Sequence, residues 1–206
     1  MDSLAWHNLL DTINRVDGEP SEAADKGSCF NEILDCILLR TKSTRGDIQI
    51  SKEDIYTHMV KEKGVEKHES VFLPHLVAKM YGFVFRFDKA FCKQSAEYFK
   101  GAACQVYTTA NIETRYGNVR LYGYADYVRE NKVFDAKTTK RYSFGQYQKK
   151  WQKHVYPYCL IESGKMTDVS EFEYTCFRWS GNEILSAEMF PEVYTYNHDN
   201  STSYIR

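Results

Sequence analysis

Apolar residues fall at helical spacing in one early stretch of the chain, DKGSCFNEILDCILLRTK. Phe30, Ile33, Leu34, Ile37 and Leu38 recur every three or four residues, the repeat of a helix face. Ser28 stands where an N-cap is expected. Cys36 and Leu39 extend the apolar surface nearly all round, which predicts a helix buried on two sides. Residues 43–52 predict a loop. Ser51 with Asp54 three residues later predicts a second helix, ending near Gly64. Residues 68–82 predict a further helix, with Pro74 near its start or at a break. Asp88 is expected to cap a helix through Lys100, closed by Gly101. Ahead of these, Leu4–Ile13 predict a short amphipathic helix and residues 17–20 a polar break.

The pattern changes after Gly101. The stretch CQVYTTANIETRYGNVRLYGYADYVRENKVFDAKTT is rich in Val, Tyr, Ile and Thr. Turn signals at Tyr116-Gly117-Asn118 and Glu130-Asn131 divide it into three antiparallel strands of a meander. Phe144, Tyr147, Trp151, Val155 and Tyr158 form the apolar stripe of a helix predicted over about 143–162, which Pro157 must kink or end early. The segment DVSEFEYTCFRWS predicts another strand. No repeat or linker interrupts the sequence. One α+β domain over 1–206 is expected: a peripheral segment 1–26, a helical part 27–100 and a core of meander, helix and strand over 101–180.

Composition narrows the function classes. The chain has 206 residues and a net charge of −1, so overall charge does not announce a nucleic-acid partner. Locally, eight basic residues between Arg129 and Lys153 face only Glu130 and Asp135. The 16 Tyr and 12 Phe suit a core, or flat surfaces for stacking on bases. The six Cys include no C-x-x-C pair, which argues against a zinc ribbon or a cluster built on paired cysteines. Without a signal peptide they read as reduced thiols in a cytoplasmic protein. No apolar run is long enough to span a membrane, and Asn200-Ser201-Thr202 reads as a chance sequon. His58, His68, His75 and His154 lack zinc-site spacing, and neither a nucleophile elbow nor a phosphate-binding glycine loop occurs.

The meander carries the candidate chemistry. If Glu130-Asn131 form a two-residue hairpin loop, Arg129 faces Lys132, Val128 faces Val133, Tyr127 faces Phe134, and Asp126 faces Asp135. Lys137 then shares the face of the acids. Ala125, Tyr127, Phe134 and Ala136 share the other face, toward the core. Opposed carboxylates are destabilising unless something compensates. A hard divalent cation such as Mg²⁺ compensates, using one or two carboxylates, waters and phosphate oxygens. Lys137 could orient a water or stabilise charge on a phosphorane-like transition state.

These residues resemble the motifs of the PD-(D/E)XK nuclease superfamily, most closely its exonuclease-like branch found in bacterial recombination and in phages. Gly123-Tyr124-Ala125-Asp126 resembles the second-strand motif of that family, and Asp135-Ala136-Lys137-Thr138 the third-strand motif. Gln152-Lys153-His154-Val155-Tyr156 matches Q-x-x-x-Y on the following helix. Order and spacing agree across residues 105–160. The early helix departs from the pattern. In this branch His or Glu often follows a Gly by four residues, whereas Gly27 is followed at that distance by Asn31, with Glu32 next. Either Glu32, displaced by one, or Asn31 takes that position.

The resemblance implies a restriction-endonuclease-like fold with a mixed sheet flanked by helices. It implies a Mg²⁺- or Mn²⁺-dependent deoxyribonuclease acting on double- or single-stranded DNA, in phage or bacterial recombination, repair or DNA processing. Asp126, Asp135 and Glu32 would be metal ligands and Lys137 the catalytic lysine. Gln152 and Tyr156 would support the carboxylates. Lys140, Arg141, Gln148 and Lys153 would contact the DNA backbone, which positions the duplex without reading sequence. Exonuclease and endonuclease stay open as alternatives. So does a binding module on a nuclease-like scaffold, with catalysis lost through the altered first helix.

Overall fold

The computed structural model describes residues 21–62, 64–114 and 117–205. The helix expected at Leu4–Ile13 and the break at 17–20 lie outside them, as does Tyr116 of the first predicted turn. The element order is α1 (Glu22–Leu39), β1 (Gln49–Glu62), β2 (Val65–Met80), β3 (Phe83–Asp88), α2 (Lys89–Tyr98), β4 (Ala103–Thr114), β5 (Gly117–Arg129), β6 (Lys132–Thr139), α3 (Gln152–Glu162), β7 (Glu171–Ser180), β8 (Ser186–Thr195) and α4 (His198–Ile205). The fold is α+β with two sheets.

The larger sheet has the order β4-β5-β6-β7-β8. It is mixed: β4, β5 and β6 form the expected antiparallel meander, β6 pairs in parallel with β7, and β7 pairs antiparallel with β8. The parallel step needs a crossover, which α3 supplies. One face packs against α1 and α2 through Phe30, Ile33, Phe99, Tyr127, Phe134 and Phe177. The other packs against α3 through Ala125, Val133, Leu160, Phe172 and Tyr174. Three of the four residues expected on one core face share it. Ala125 lies in the opposite core, because the alternation breaks at Asp126, where Gln105 across the ladder has φ +49° and makes no pair.

The smaller sheet, β1-β2-β3, corrects the sequence reading. Both helices predicted over about 51–82 are strands of one long hairpin. Pro74 is tolerated because the register slips between Glu53 and Ile55, and a bulge has no ladder hydrogen bond for proline to remove. Tyr81 and Gly82, both at positive φ, form the tight turn into β3 that favours hairpin twist. The sheet joins the larger one where Asp88 N donates to Leu185 O and Leu185 N to Arg86 O.

Of three smaller expectations, two shift and one holds. The first helix starts at Glu22 with Ser21 as N-cap residue, so Ser28 lies inside it. Asp88 does cap its helix, its Oδ1 accepting from Phe91 N at 2.6 Å. The helix predicted over 143–162 begins only at Gln152 and runs through Pro157 to Glu162. Residues 144–149 form turns instead, and Phe144 is 87% exposed rather than packed.

Candidate functional site

The predicted hairpin register holds for Arg129, Val128 and Tyr127, opposite Lys132, Val133 and Phe134. It stops there. Asp126 and Asp135 are not a ladder pair: the β5–β6 ladder ends at Tyr127 and Phe134, while β6 stays paired with β7 along its whole length. The Asp126 side chain fills the gap, its Oδ2 accepting from Ala136 N at 2.8 Å. A carboxylate thus replaces the missing main-chain acceptor, which fixes Asp126 beside β6.

Asp135 is 2% exposed. Lys137 Nζ lies 2.6 Å from its Oδ2, and Gln152 Nε2 donates to its Oδ1 at 3.1 Å. Gln152 also reaches Tyr156 Oη at 3.4 Å. Asp126, Asp135, Lys137, Gln152 and Tyr156 therefore converge, as the motif spacing predicts. Two glycines make room for this. A Cβ on Gly123 would come within 2.9 Å of the Tyr156 ring, and one on Gly27 within 2.8 Å of Thr138 Oγ1. These positions let α3 lie on β5 and α1 on β6.

Electrostatics follow from the crowding. Burial pushes the Asp126 carboxyl up to about 7, the Asp135 charge adding to it and Asp35 beyond, against the Ala136 N–H and Lys137. Asp135 is also raised by burial, with Lys137 opposing. Burial disfavours the Lys137 ammonium, but Asp135 and then Asp126 outweigh it and hold its pKa above the ordinary lysine range. The cluster holds carboxylates that resist ionising and an ammonium that resists neutralising.

The first helix contributes a residue the sequence reading passed over. A cavity of about 590 Å³ beside Asp126 is lined by Asn31, Glu32, Asp35, Lys42 and Arg45, among others. Asp35 is buried, and its Oδ1 has no hydrogen-bond partner. Burial raises its pKa to about 6, with Tyr127 and Gln105 drawing it back down. Glu32 lines the same cavity, with the Cys36 thiol at 3.8 Å from its Oε1. Asn31 and Asp35 are one turn apart and share a helix face. The signal was present: an Asp set in the apolar run Ile33-Leu34-Asp35-Cys36-Ile37-Leu38.

The expected DNA-contacting residues divide. Lys140, Arg141 and Gln148 are exposed on the segment between β6 and α3. Lys153 is half-buried, its ammonium 4.8 Å from the centre of the Tyr194 ring, a stacking that takes it to β8.

Among the described residues, no group of three or more His, Cys, Asp and Glu side chains is arranged to hold a metal ion. Apart from the Cys36 thiol, the candidate donors beside the cavity are oxygens, and the unpartnered Asp35 Oδ1 and the raised Asp126 both ask for positive charge. That set suits a hard cation held by one or two carboxylates and completed by water and phosphate. No family model matches the chain, and no curated protein matches it. Among solved structures it is similar to the crystal structure of SSO0001, with 14% identity and a TM-score of 0.35 over 50% of this chain. The chain covers 47% of that one.

Proposed function

We propose that the protein is a metal-dependent deoxyribonuclease of the PD-(D/E)XK type with a restriction-endonuclease-like core. The observation that carries this reading is the convergence of Asp126, Asp135, Lys137 and Gln152 from three elements on one buried point. Burying two carboxylates side by side is costly unless a function or a counter-charge uses them.

Asp126 and Asp135 would hold Mg²⁺ or Mn²⁺, with Asp35 or Glu32 contributing from α1. When bound, such a cation supplies Lewis acidity toward a phosphate oxygen. Lys137 keeps its proton beside Asp135 and places a positive charge where the phosphodiester gains negative charge. Gln152 holds the Asp135 carboxylate in one orientation, and Tyr156, held by Gln152, fills the wall left open by Gly123. Lys140, Arg141 and Gln148 would meet the backbone of the bound strand. The binding-module reading draws on the absence, among the described residues, of a three-ligand metal group.

The test is incubation of purified protein with linear and circular DNA, with Mg²⁺, Mn²⁺ or chelator. The proposal expects metal-dependent cleavage of linear DNA, and cleavage of circular DNA as well would mark an endonuclease. DNA binding without cleavage under every metal condition would favour the binding module.

A further inference from the structure

The β1–β2 hairpin outgrows the sheet it belongs to. β3 reaches along β2 only as far as His75, so beyond Glu53 the hairpin continues as two strands alone. From Ile55 to Glu62 this arm extends about 24 Å. A two-stranded ribbon is marginally stable in water unless another surface covers it. This one exposes large apolar side chains: Ile55 is 62% exposed, Met59 59% and Phe72 78%. Ile55 pairs with Phe72 and Met59 with His68, so all three lie on one face. β1 is an outer strand, and its free edge offers a row of unpaired main-chain groups.

The sequence of β1 is complementary to itself. In antiparallel pairing of two β1 strands about a two-fold axis at Thr57, Lys52 falls opposite Glu62 and Glu53 opposite Lys61. Ile55 falls opposite Met59 and Tyr56 opposite His58. Every charged contact among these is attractive and occurs twice. The adjacent registers are penalised: one sets Lys52 against Lys61, the other Glu53 against Glu62. Like charges directly opposite are destabilising, so one register is selected. The pairing also runs Phe72, Ile55 and the second copy's Met59 into one apolar stripe. Because the arm projects, the two bodies sit at opposite ends of the joined strands.

We propose that β1 pairs with β1 of a second copy of this chain, forming a homodimer through a four-strand ribbon with order β2-β1-β1-β2. This does not rest on the reading of the carboxylate cluster. The test is sedimentation and light scattering of the wild type, Glu53→Lys, Lys61→Glu and the double variant. The wild type is expected to be dimeric. Each single variant turns two attractive pairs into repulsive ones and should weaken the dimer about tenfold or more. The double variant should restore it.

That rescue separates the two kinds of effect. Within one chain the double variant loses the Glu53–His75 pair and sets a new carboxylate against Glu66, the present partner of Lys61. Intrachain effects alone would therefore make it the worst of the four. Thr57→Cys is an independent check, since cysteines on the axis should cross-link under mild oxidation. A wild type monomeric at concentrations on the order of 100 µM would overturn the proposal and leave the edge to a different chain. A dimer indifferent to the single variants, a double variant that stays monomeric, or a Thr57→Cys protein that does not cross-link would overturn it equally.

Discussion

Replacing Asp126 by Asn tests whether the carboxylate cluster is as strained as its surroundings imply. Asn keeps an oxygen that can accept from Ala136 N, so the bond at 2.8 Å that pins β5 to β6 survives. Only the charge is removed. In the folded wild type the carboxyl titrates near 7 against 3.8 for the free group, chiefly through burial and then Asp135. A raised carboxyl pKa means that the folded state holds a proton the unfolded state has released. Stability is then fully present below about 3.8 and is lost as pH rises toward 7. The full shift corresponds to roughly 4 kcal/mol as an upper bound, and sharing of the proton with Asp135 reduces it to roughly 2 kcal/mol.

Asp126→Asn should therefore match the wild type at pH 4 and exceed it by about 2 kcal/mol at pH 8 in chelator. That is some 4–8 °C in Tm for a chain of this size. Urea melts at both pH values provide the measurement. Millimolar Mn²⁺ should raise the wild-type Tm at pH 8 and leave the variant's nearly unchanged. A variant no more stable than wild type at pH 8, or a gain equal at both pH values, would refute the reasoning.

Other outcomes follow from the same geometry. Gly123→Ala would press a methyl to 2.9 Å from the Tyr156 ring and should cost about 1–3 kcal/mol in a urea melt. Gln152→Ala removes the donor to Asp135 Oδ1 and should reduce cleavage about 10–100-fold, while the Tm moves little. Lys132→Ala would remove the ammonium 2.9 Å from the wholly buried Glu173 and leave that carboxylate with only the Tyr98 and Thr175 hydroxyls. Its expected cost is up to about 3–5 kcal/mol, visible as a large drop in thermal midpoint near neutral pH that shrinks in acid, where Glu173 is protonated.

The meander was legible because its signals are local. Glu130-Asn131 turned where expected, and the three pairs nearest the turn kept register. What the sequence could not show is where the β5–β6 ladder ends, since β6 is held along its whole length by β7, a partner some forty residues away. Hence Asp126 meets β6 through its side chain, at Ala136 N, rather than as a ladder partner of Asp135. The residues of β1 and β2 misled because charged groups at three- and four-residue spacing resemble a solvated helix. The alternation of half-buried Tyr56, His58 and Val60 with exposed Thr57, Met59 and Lys61 emerges only in the structure, because apolar Ile55 and Met59 stand on the exposed face. Asp35 was missed because the expected position four residues after Gly27 drew attention to Asn31 and Glu32. Helix geometry returns the same face a turn later.

The most direct test of the central claim is cleavage of linear duplex DNA with Mg²⁺ by the wild type beside Asp135→Ala and Lys137→Ala. All three proteins should show matching circular dichroism. The account predicts cleavage by the wild type alone, and cleavage by either variant at the wild-type rate would contradict it.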